Sequence, residues 1–397
     1  MTQETLHSPS ELQKELSTVR RPMQIGIPKE DRKTEKRLAF TPEAIDILTE
    51  AGCEILFEEG AGWGIRYSDA DYAEAGATIT NDRSAVFGCD LIFKITPPTL
   101  EEIQWMKKRA TILSMLQMPD IPVELIKAMA AKQLHAVGYE LISPDGYCFP
   151  VRDAISEIEG AAAISVASEL LSNEKGGKGI LLGGIPGVSP TEVVIIGAGT
   201  AGMVAARAAL AMGATVKVFD SDIDKLRQLQ RQLGVPVFTS VFHPNVLVNT
   251  FESADVVIGA MQYIDDSVRY VISEDVIRTM KKHSIIIDLR VNQGGCFETT
   301  CFLPSEHPAI FEHDGVLHYC VPNLSSRVAR TASMALSNIF IPFILRMSEL
   351  ETATAIASVD PVFRSGFYLY SGKLVNSYVA KYFNLPANDI GLFFSVF

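Results

Sequence analysis

No two of the six cysteines form a C-x-x-C pair. Cys53, Cys89, Cys148, Cys296, Cys301 and Cys320 are scattered, and no secretory context is expected for them. That pattern excludes a disulfide scaffold or a zinc ribbon and indicates reduced thiols in a cytoplasmic protein. Histidine is scarce, at seven residues. Its one cluster, His307, His313 and His318, reads as a loop followed by a strand, and no metal site is expected there. The first twenty residues are polar and charged and lack the apolar core of a signal peptide, so they read as a loose helix or tail. No run approaches the roughly 18 apolar residues of a membrane helix. Internal repeats and low-complexity tracts are missing too. Positive charge is in deficit: 35 basic against 47 acidic residues leave a net charge of -12. Such a surface repels phosphate backbones at long range, so neither nucleic acid nor membrane is expected as a partner. Local basic pockets for small anions remain open.

At 397 residues, 47% of them hydrophobic, the chain is long enough for two domains with sizeable cores. From Met23 onward, short apolar runs alternate with helical patterns. Strands are expected at residues 23–27, 54–57, 91–95, 111–116 and 134–139. A helix is expected to open at Thr41-Pro42, where threonine can cap and proline suits the first turn. Further helices are expected near 100–107 and 123–132. After a long helical pattern at 155–171 and a loop rich in Gly, Lys and Pro at 173–190, the rhythm resumes. Strands are expected at 191–196, 215–220, 255–258, 284–288 and 316–321, and the tail from Arg330 reads as helical. Such alternation specifies an α/β chain with two Rossmann-like, doubly wound domains and a cleft between them. The first domain is discontinuous, residues 1–150 with 327–397, and residues 151–326 form the second.

Gly197-Ala198-Gly199-Thr200-Ala201-Gly202 fits G-x-G-x-x-G between a β-branched strand and an Ala-rich helix, Met203 to Met212. That context turns a weak pattern into a dinucleotide fingerprint. Gly197 permits the tight turn, Gly199 leaves room for a diphosphate, and Gly202 lets helix and strand pack closely. The helix N-terminus offers backbone N–H groups to the phosphates. Asp220, at the end of the next strand, can accept hydrogen bonds from the adenosine ribose and repels a 2′-phosphate, which favours NAD over NADP.

Beyond this fingerprint the sequence resembles the alanine dehydrogenase family, which includes the NAD-binding part of proton-translocating transhydrogenases. The resemblance is carried by Ile27-Pro28-Lys29-Glu30, Glu35-Lys36-Arg37-Leu38-Ala39-Phe40-Thr41-Pro42, Gly60-Ala61-Gly62, Phe93-Lys94-Ile95, Ser156-Glu157, residues 181–188, Gln293-Gly294-Gly295-Cys296-Phe297-Glu298-Thr299, residues 318–323 and Arg330-Thr331. It covers about residues 23 to 350 in order. It implies two Rossmann-like domains, reversible oxidative deamination of L-alanine to pyruvate and ammonia with NAD, and a homo-oligomer, hexamer or dimer. Ser156 joins the expected cofactor contacts. Arg37 matches the arginine that grips the substrate carboxylate, a task suited to a planar fork. Lys94 matches the lysine near the substrate carbonyl, and the end of a strand is where open α/β sheets place ligands.

Two positions depart from the family. Its acid/base histidine is replaced by Gln117, which hydrogen-bonds but cannot exchange a proton near neutral pH. Its aspartate before Gln-Gly-Gly is replaced by Asn292. Additional charge stands at Arg152, Asp153, Arg290 and Arg327, read either as surface variation or as a site recoded for another anion. Lys94 is then the remaining candidate base, which predicts an alkaline pH optimum. Three functions follow. The first is an NAD-dependent amino-acid dehydrogenase acting on an amino acid or 2-oxo acid. The second is an NAD(H)-binding protein with altered or lost deaminase chemistry. The third is a transhydrogenase-like NAD(H) subunit. Phe367 to Tyr370 and Leu392 to Phe397 are apolar for a chain end and are expected to pack on the core or on a neighbouring subunit.

Overall fold

A computed structural model of the chain describes residues 22–116, 121–261, 272–301, 308–350, 352 and 354–394. Gln117, His307, the first twenty residues and the last three lie outside these. The chain divides into two compact units, Met1–Val151 with Ser333–Phe397, and Arg152–Ala332.

The first unit is built on β1 (Gln24–Ile27), β2 (Glu54–Glu58), β3 (Thr78–Thr80), β4 (Leu91–Phe93), β5 (Thr111–Ser114) and β6 (His135–Gly138). They pair in parallel in the order β3-β2-β1-β4-β5-β6. The central strands are buried along their whole length, as parallel strands covered on both faces must be. The run at residues 91–95 ends as a strand at Phe93, because the Glu30 carboxylate accepts the N–H of Ile95 at 2.6 Å and of Thr96 at 3.3 Å. Lys94 therefore stands just past the strand rather than within it. Thr41 precedes the helix Pro42–Glu50 as expected, but its side chain makes no cap.

The second unit contains β7 (Glu192–Ile196), β8 (Thr215–Phe219), β9 (Phe238–Ser240), β10 (Val256–Gly259), β11 (Ile285–Asp288), β12 (Ile310–His313) and β13 (Val316–Tyr319). Their order is β9-β8-β7-β10-β11-β13-β12, parallel except for β12 against β13. Each unit thus repeats one topology, with its first strand central and the order reversing beside it. That reversal is the switch point where doubly wound sheets bind ligands. The helices Pro150–Leu170 and Thr200–Ala211 cover this sheet through Ala163, Val166, Ala167, Ala201, Ala205 and Ala209, all buried in its core.

The tail departs from its helical expectation. After the helix Ala329–Glu349, β14 (Phe367–Tyr370) and β15 (Lys373–Leu374) form a hairpin, and β14 joins β6 antiparallel. An apolar run without alternation gave no strand signal. One helical stretch, Leu324–Glu349, meets the length and composition of a membrane span although it holds no unbroken run of 18 apolar residues. One face of it is built into the first unit. Leu336, Phe340, Ile344 and Met347 are buried, and Phe340 lies 4.5 Å from Phe93 and 5.0 Å from Tyr139 between ring centroids. Ser333 and Ser337 accept the backbone N–H of Leu38 and Thr41 at 2.9 and 3.0 Å. These bonds fix the segment that follows Arg37. At the chain end, Phe393 and Phe394 pack on Tyr370.

Candidate active site

At the switch point of the first unit, charged side chains take the place that backbone amides hold in the second. Lys94 is only 5% exposed. Its Nζ lies 3.2 Å from Glu30 Oε2, donates to Thr96 Oγ1, and lies 3.4 Å from the Pro97 carbonyl. Glu102 stands 3.9 Å away. Every N–H of the ammonium meets an acceptor, so its direction is set by protein before any ligand arrives. Thr96 in turn donates to Glu30 at 2.6 Å, and Glu102 is shared with Arg83, which also binds Glu58.

Arg37 is equally preorganised. Glu35 Oε1 accepts from its backbone N–H and its Nε at 2.9 Å each, and Glu35 Oε2 accepts from Nη2 at 2.7 Å. Both side chains are 2% exposed. A buried ion pair of this kind contributes orientation more than net stability. Tyr139 begins where β6 ends. It donates to the Ile95 carbonyl at 3.1 Å, and its ring stacks with Phe93. Burial pushes its phenol well up; Arg37 pulls it back, while Glu140, Glu30 and Glu35 raise it further. Glu30, Glu35, Thr96 and Tyr139 were absent from the candidate residues. Glu35 and Thr96 stand two residues from Arg37 and Lys94, a local signal, whereas Glu30 reaches Lys94 across 64 positions.

In the second unit the glycine loop has the form a diphosphate needs. A Cβ on Gly197 would lie 2.7 Å from the Ala260 carbonyl carbon and the Met261 nitrogen, and φ is +114° there. One on Gly202 would meet the Gly197 oxygen at 1.9 Å, whereas one on Gly199 meets nothing within 4 Å. Gly199 caps the helix Thr200–Ala211 with no side-chain hydrogen bond to the first turn, where helix geometry leaves N–H donors without intrahelical partners. Open space and donors coincide at Gly199, Thr200 and Ala201, as a phosphate group requires. Asp220 is buried and does more than was expected. Its Oδ2 accepts the Ala198 N–H at 2.7 Å and its Oδ1 the Asp222 N–H at 2.9 Å. A carboxylate has about four lone-pair sites, so it can hold the loop and still accept from a ribose hydroxyl.

Ser156 lies on the helix Pro150–Leu170 between Asp153, whose carboxylate accepts from Thr200 Oγ1 at 3.3 Å, and Gly160, which packs against the Ala201 carbonyl. Residues 153, 156 and 160 share one face, so that face lies against the glycine loop. Asn292 stands in a 3-10 turn after β11 and is exposed. Asp288 shapes this turn, accepting the N–H of Arg290 and of Cys296 at 2.9 Å and the Thr300 hydroxyl. Burial pushes the Asp288 carboxyl up, against these hydrogen bonds and the Arg290 charge. Arg327 pairs with the exposed Glu169, the surface-variation reading of that residue. Near the second sheet's far edge, Glu274, His313 and Asp314 approach one another closely enough for a cation. Arg278 already fills that role, 2.6 Å from Glu274 and 2.9 Å from Asp314.

The chain matches two sequence families in succession, "Alanine dehydrogenase/PNT, N-terminal domain" over residues 26–158 and "Alanine dehydrogenase/PNT, C-terminal domain" over residues 163–377. It is 34% identical to an alanine dehydrogenase of Mycolicibacterium smegmatis over 372 residues, 94% of this chain and all of the relative. An alanine dehydrogenase of Staphylococcus saprophyticus is 32% identical over 368 residues, 93% of this chain and 99% of the relative. Among solved structures, an L-alanine dehydrogenase superposes with a TM-score of 0.83 at 30% identity, covering 91% of this chain and 99% of that one. A transhydrogenase from Sinorhizobium meliloti gives 0.76 at 22% identity, covering 89% and 100%, a likeness of fold.

Proposed function

The chain belongs to the alanine dehydrogenase/PNT family, and from that premise we propose that it is an NAD-dependent amino-acid dehydrogenase that converts L-alanine, NAD and water to pyruvate, ammonia and NADH. The observation that carries this reading is the pair of preorganised cations, Arg37 and Lys94, at one switch point, with a diphosphate cradle at the other. Bound NAD supplies the hydride acceptor. Gly199, Thr200 and Ala201 hold its diphosphate, Ser156 lies on the helix face beside it, and Asp220 takes the adenosine ribose while excluding a 2′-phosphate.

Arg37 holds the substrate carboxylate, with the guanidinium plane fixed by Glu35. Orientation of this kind replaces a search over rotations and is a large part of catalysis. Lys94 exchanges one of its protein acceptors for the oxygen that becomes the pyruvate carbonyl and stabilises negative charge there in the transition state. Deamination also needs a base. With Gln117 and Asn292 at the two departing positions, the Lys94–Glu30 pair is the ionisable unit left to relay a proton: the ammonium passes one to Glu30 at 3.2 Å and then, as the amine, takes one from substrate or water. Gln117 and Asn292 retain a hydrogen-bonding role toward substrate or water.

The exposed, non-ionisable Asn292 favours one second reading, an NAD(H)-binding protein whose deaminase chemistry is lost. The two are separated by following NAD reduction with L-alanine and a panel of other amino acids. Turnover supports the dehydrogenase. NADH uptake without turnover for any of them removes it, and recovery of alanine oxidation in Gln117→His with Asn292→Asp would then show that only the proton-handling groups had been lost. We further propose a cytoplasmic homo-oligomer, hexamer or dimer. Sizing of the full chain tests the assembly.

A further inference from the structure

Arg290 is a buried cation that the reading above does not use. It follows β11, and its backbone is fully engaged. The N–H donates to Asp288 at 2.9 Å, and the carbonyl accepts from Gln293 and Gly295 at 2.8 and 2.9 Å. The side chain is 9% exposed, and its one ion pair among the described residues is loose, Nη1 to Glu159 Oε2 at 3.9 Å. Its Nε–H is buried with no hydrogen-bond partner among the described residues. A buried, unsatisfied donor on a charged group is costly and calls for an explanation.

Two facts point to what satisfies it. First, the sheet order β9-β8-β7-β10-β11-β13 divides a doubly wound sheet into two mononucleotide halves. Asp220, at the end of β8, marks the adenosine half, so the nicotinamide nucleoside belongs over the ends of β10 and β11, where Arg290 stands. Second, carboxylates already outnumber the one guanidinium here. Glu159 faces the guanidinium from the helix Pro150–Leu170, and Asp288 faces it from β11. A further anion would leave this buried spot with excess negative charge, whereas one neutral acceptor would complete the hydrogen bonding.

We infer that Arg290 is a cofactor-binding residue on the nicotinamide side, its Nε–H donating to the carboxamide oxygen of NAD(H). The assignment rests on the dinucleotide reading and adds a contact that sets the rotation of the nicotinamide ring. Ring orientation decides which face of the ring meets the substrate.

Calorimetry on the full chain with NADH and with ADP-ribose, which lacks nicotinamide, tests it. Arg290→Met combined with Glu159→Gln removes the pair without stranding the Glu159 carboxylate, and Asp288 keeps its hydrogen bonds to the N–H groups of residues 290 and 296 and to Thr300. The expected result is about tenfold weaker NADH binding with ADP-ribose binding unchanged. Arg290→Lys keeps the charge, drops the Nε donor and should show the same selective loss. Equal loss for both ligands would make Arg290 a merely structural tether and overturn the assignment. Unchanged NADH binding with a raised KM for pyruvate would overturn it in favour of substrate contact. A parent chain that binds neither ligand would overturn the dinucleotide reading itself, and this assignment with it.

Discussion

The two units share a strand order and use it oppositely. After β7 the chain turns through Gly197–Gly202 and presents bare backbone at a helix N-terminus, with one carboxylate, Asp220, locking the turn. After β1, at the matching place, it presents Glu30, Glu35 and Arg37, and Glu30 reaches sideways to hold Lys94. A phosphate is large, doubly placed and tolerant of direction, so backbone donors and a helix terminus suffice for it. A small amino acid about to lose a hydride from its α-carbon must be held in one orientation, which takes a rigid fork on its carboxylate and a directed ammonium. One topology thus yields a cradle in one unit and a charged clamp in the other, according to which groups stand after the first strand.

If the clamp does chemistry rather than hold the fold together, Lys94→Ala should lower kcat by about a thousandfold while NADH affinity measured by calorimetry stays within twofold, roughly the limit for an independent site. A comparable loss of NADH binding would break the division of labour. Glu35→Ala strands Arg37 as an unpaired buried charge and should cost about 3–5 kcal/mol in denaturant unfolding. The double change Glu35→Leu with Arg37→Met should recover most of that stability and none of the activity. A double variant as unstable as the single one would show that the pair is structural.

Among the described residues each unit has a buried histidine, which gives a comparison of stability. His135 in the first and His318 in the second are both pushed down to about 4, chiefly by burial. Unfolding exposes a ring that binds its proton near 6.5. The stability held by the neutral rings is therefore complete above about pH 6.5 and is lost as pH falls toward 4, by about 2 kcal/mol per histidine at pH 5. Denaturant midpoints at pH 7.5 and pH 5 should show the loss, and His318→Gln should remove one share of it. An unchanged midpoint would mean that neither ring is held neutral.

The smallest effect concerns the cradle. Gly199→Ala places its methyl in empty space, so the melting temperature should hold while NADH affinity falls about tenfold. Gly202→Ala drives a methyl into the Gly197 carbonyl and should lower both. Equal behaviour of the two variants would contradict the separate roles assigned to these glycines.

How much of this was legible in the sequence follows from how far each interaction reaches. The glycine loop is six consecutive residues, and its geometry could be read from them. The central strands were found because parallel strands are apolar throughout, though their ends moved, whereas the short, half-exposed edge strands β3, β9 and β12 gave no such run and were missed. β4 stops at Phe93 because Glu30, 64 positions before Lys94, takes the next amides. Nothing near Lys94 in the sequence announces that contact. The hairpin β14–β15 was missed for a similar reason: Phe367 to Tyr370 become a strand only because the edge of β6 is there to pair with. Arg290 was visible as an extra charge, but its orphaned Nε was not, since burial and partners are tertiary facts.

The measurement that tests the whole account most directly is isotopic. L-Alanine carrying deuterium on its α-carbon is incubated with NAD and the full chain, and the NADH and pyruvate are analysed by mass spectrometry. The account predicts NADH one mass unit heavier, its deuterium on the nicotinamide ring, in step with pyruvate. Formation of no NADH by a chain that binds NADH, or of NADH without the label, would contradict it.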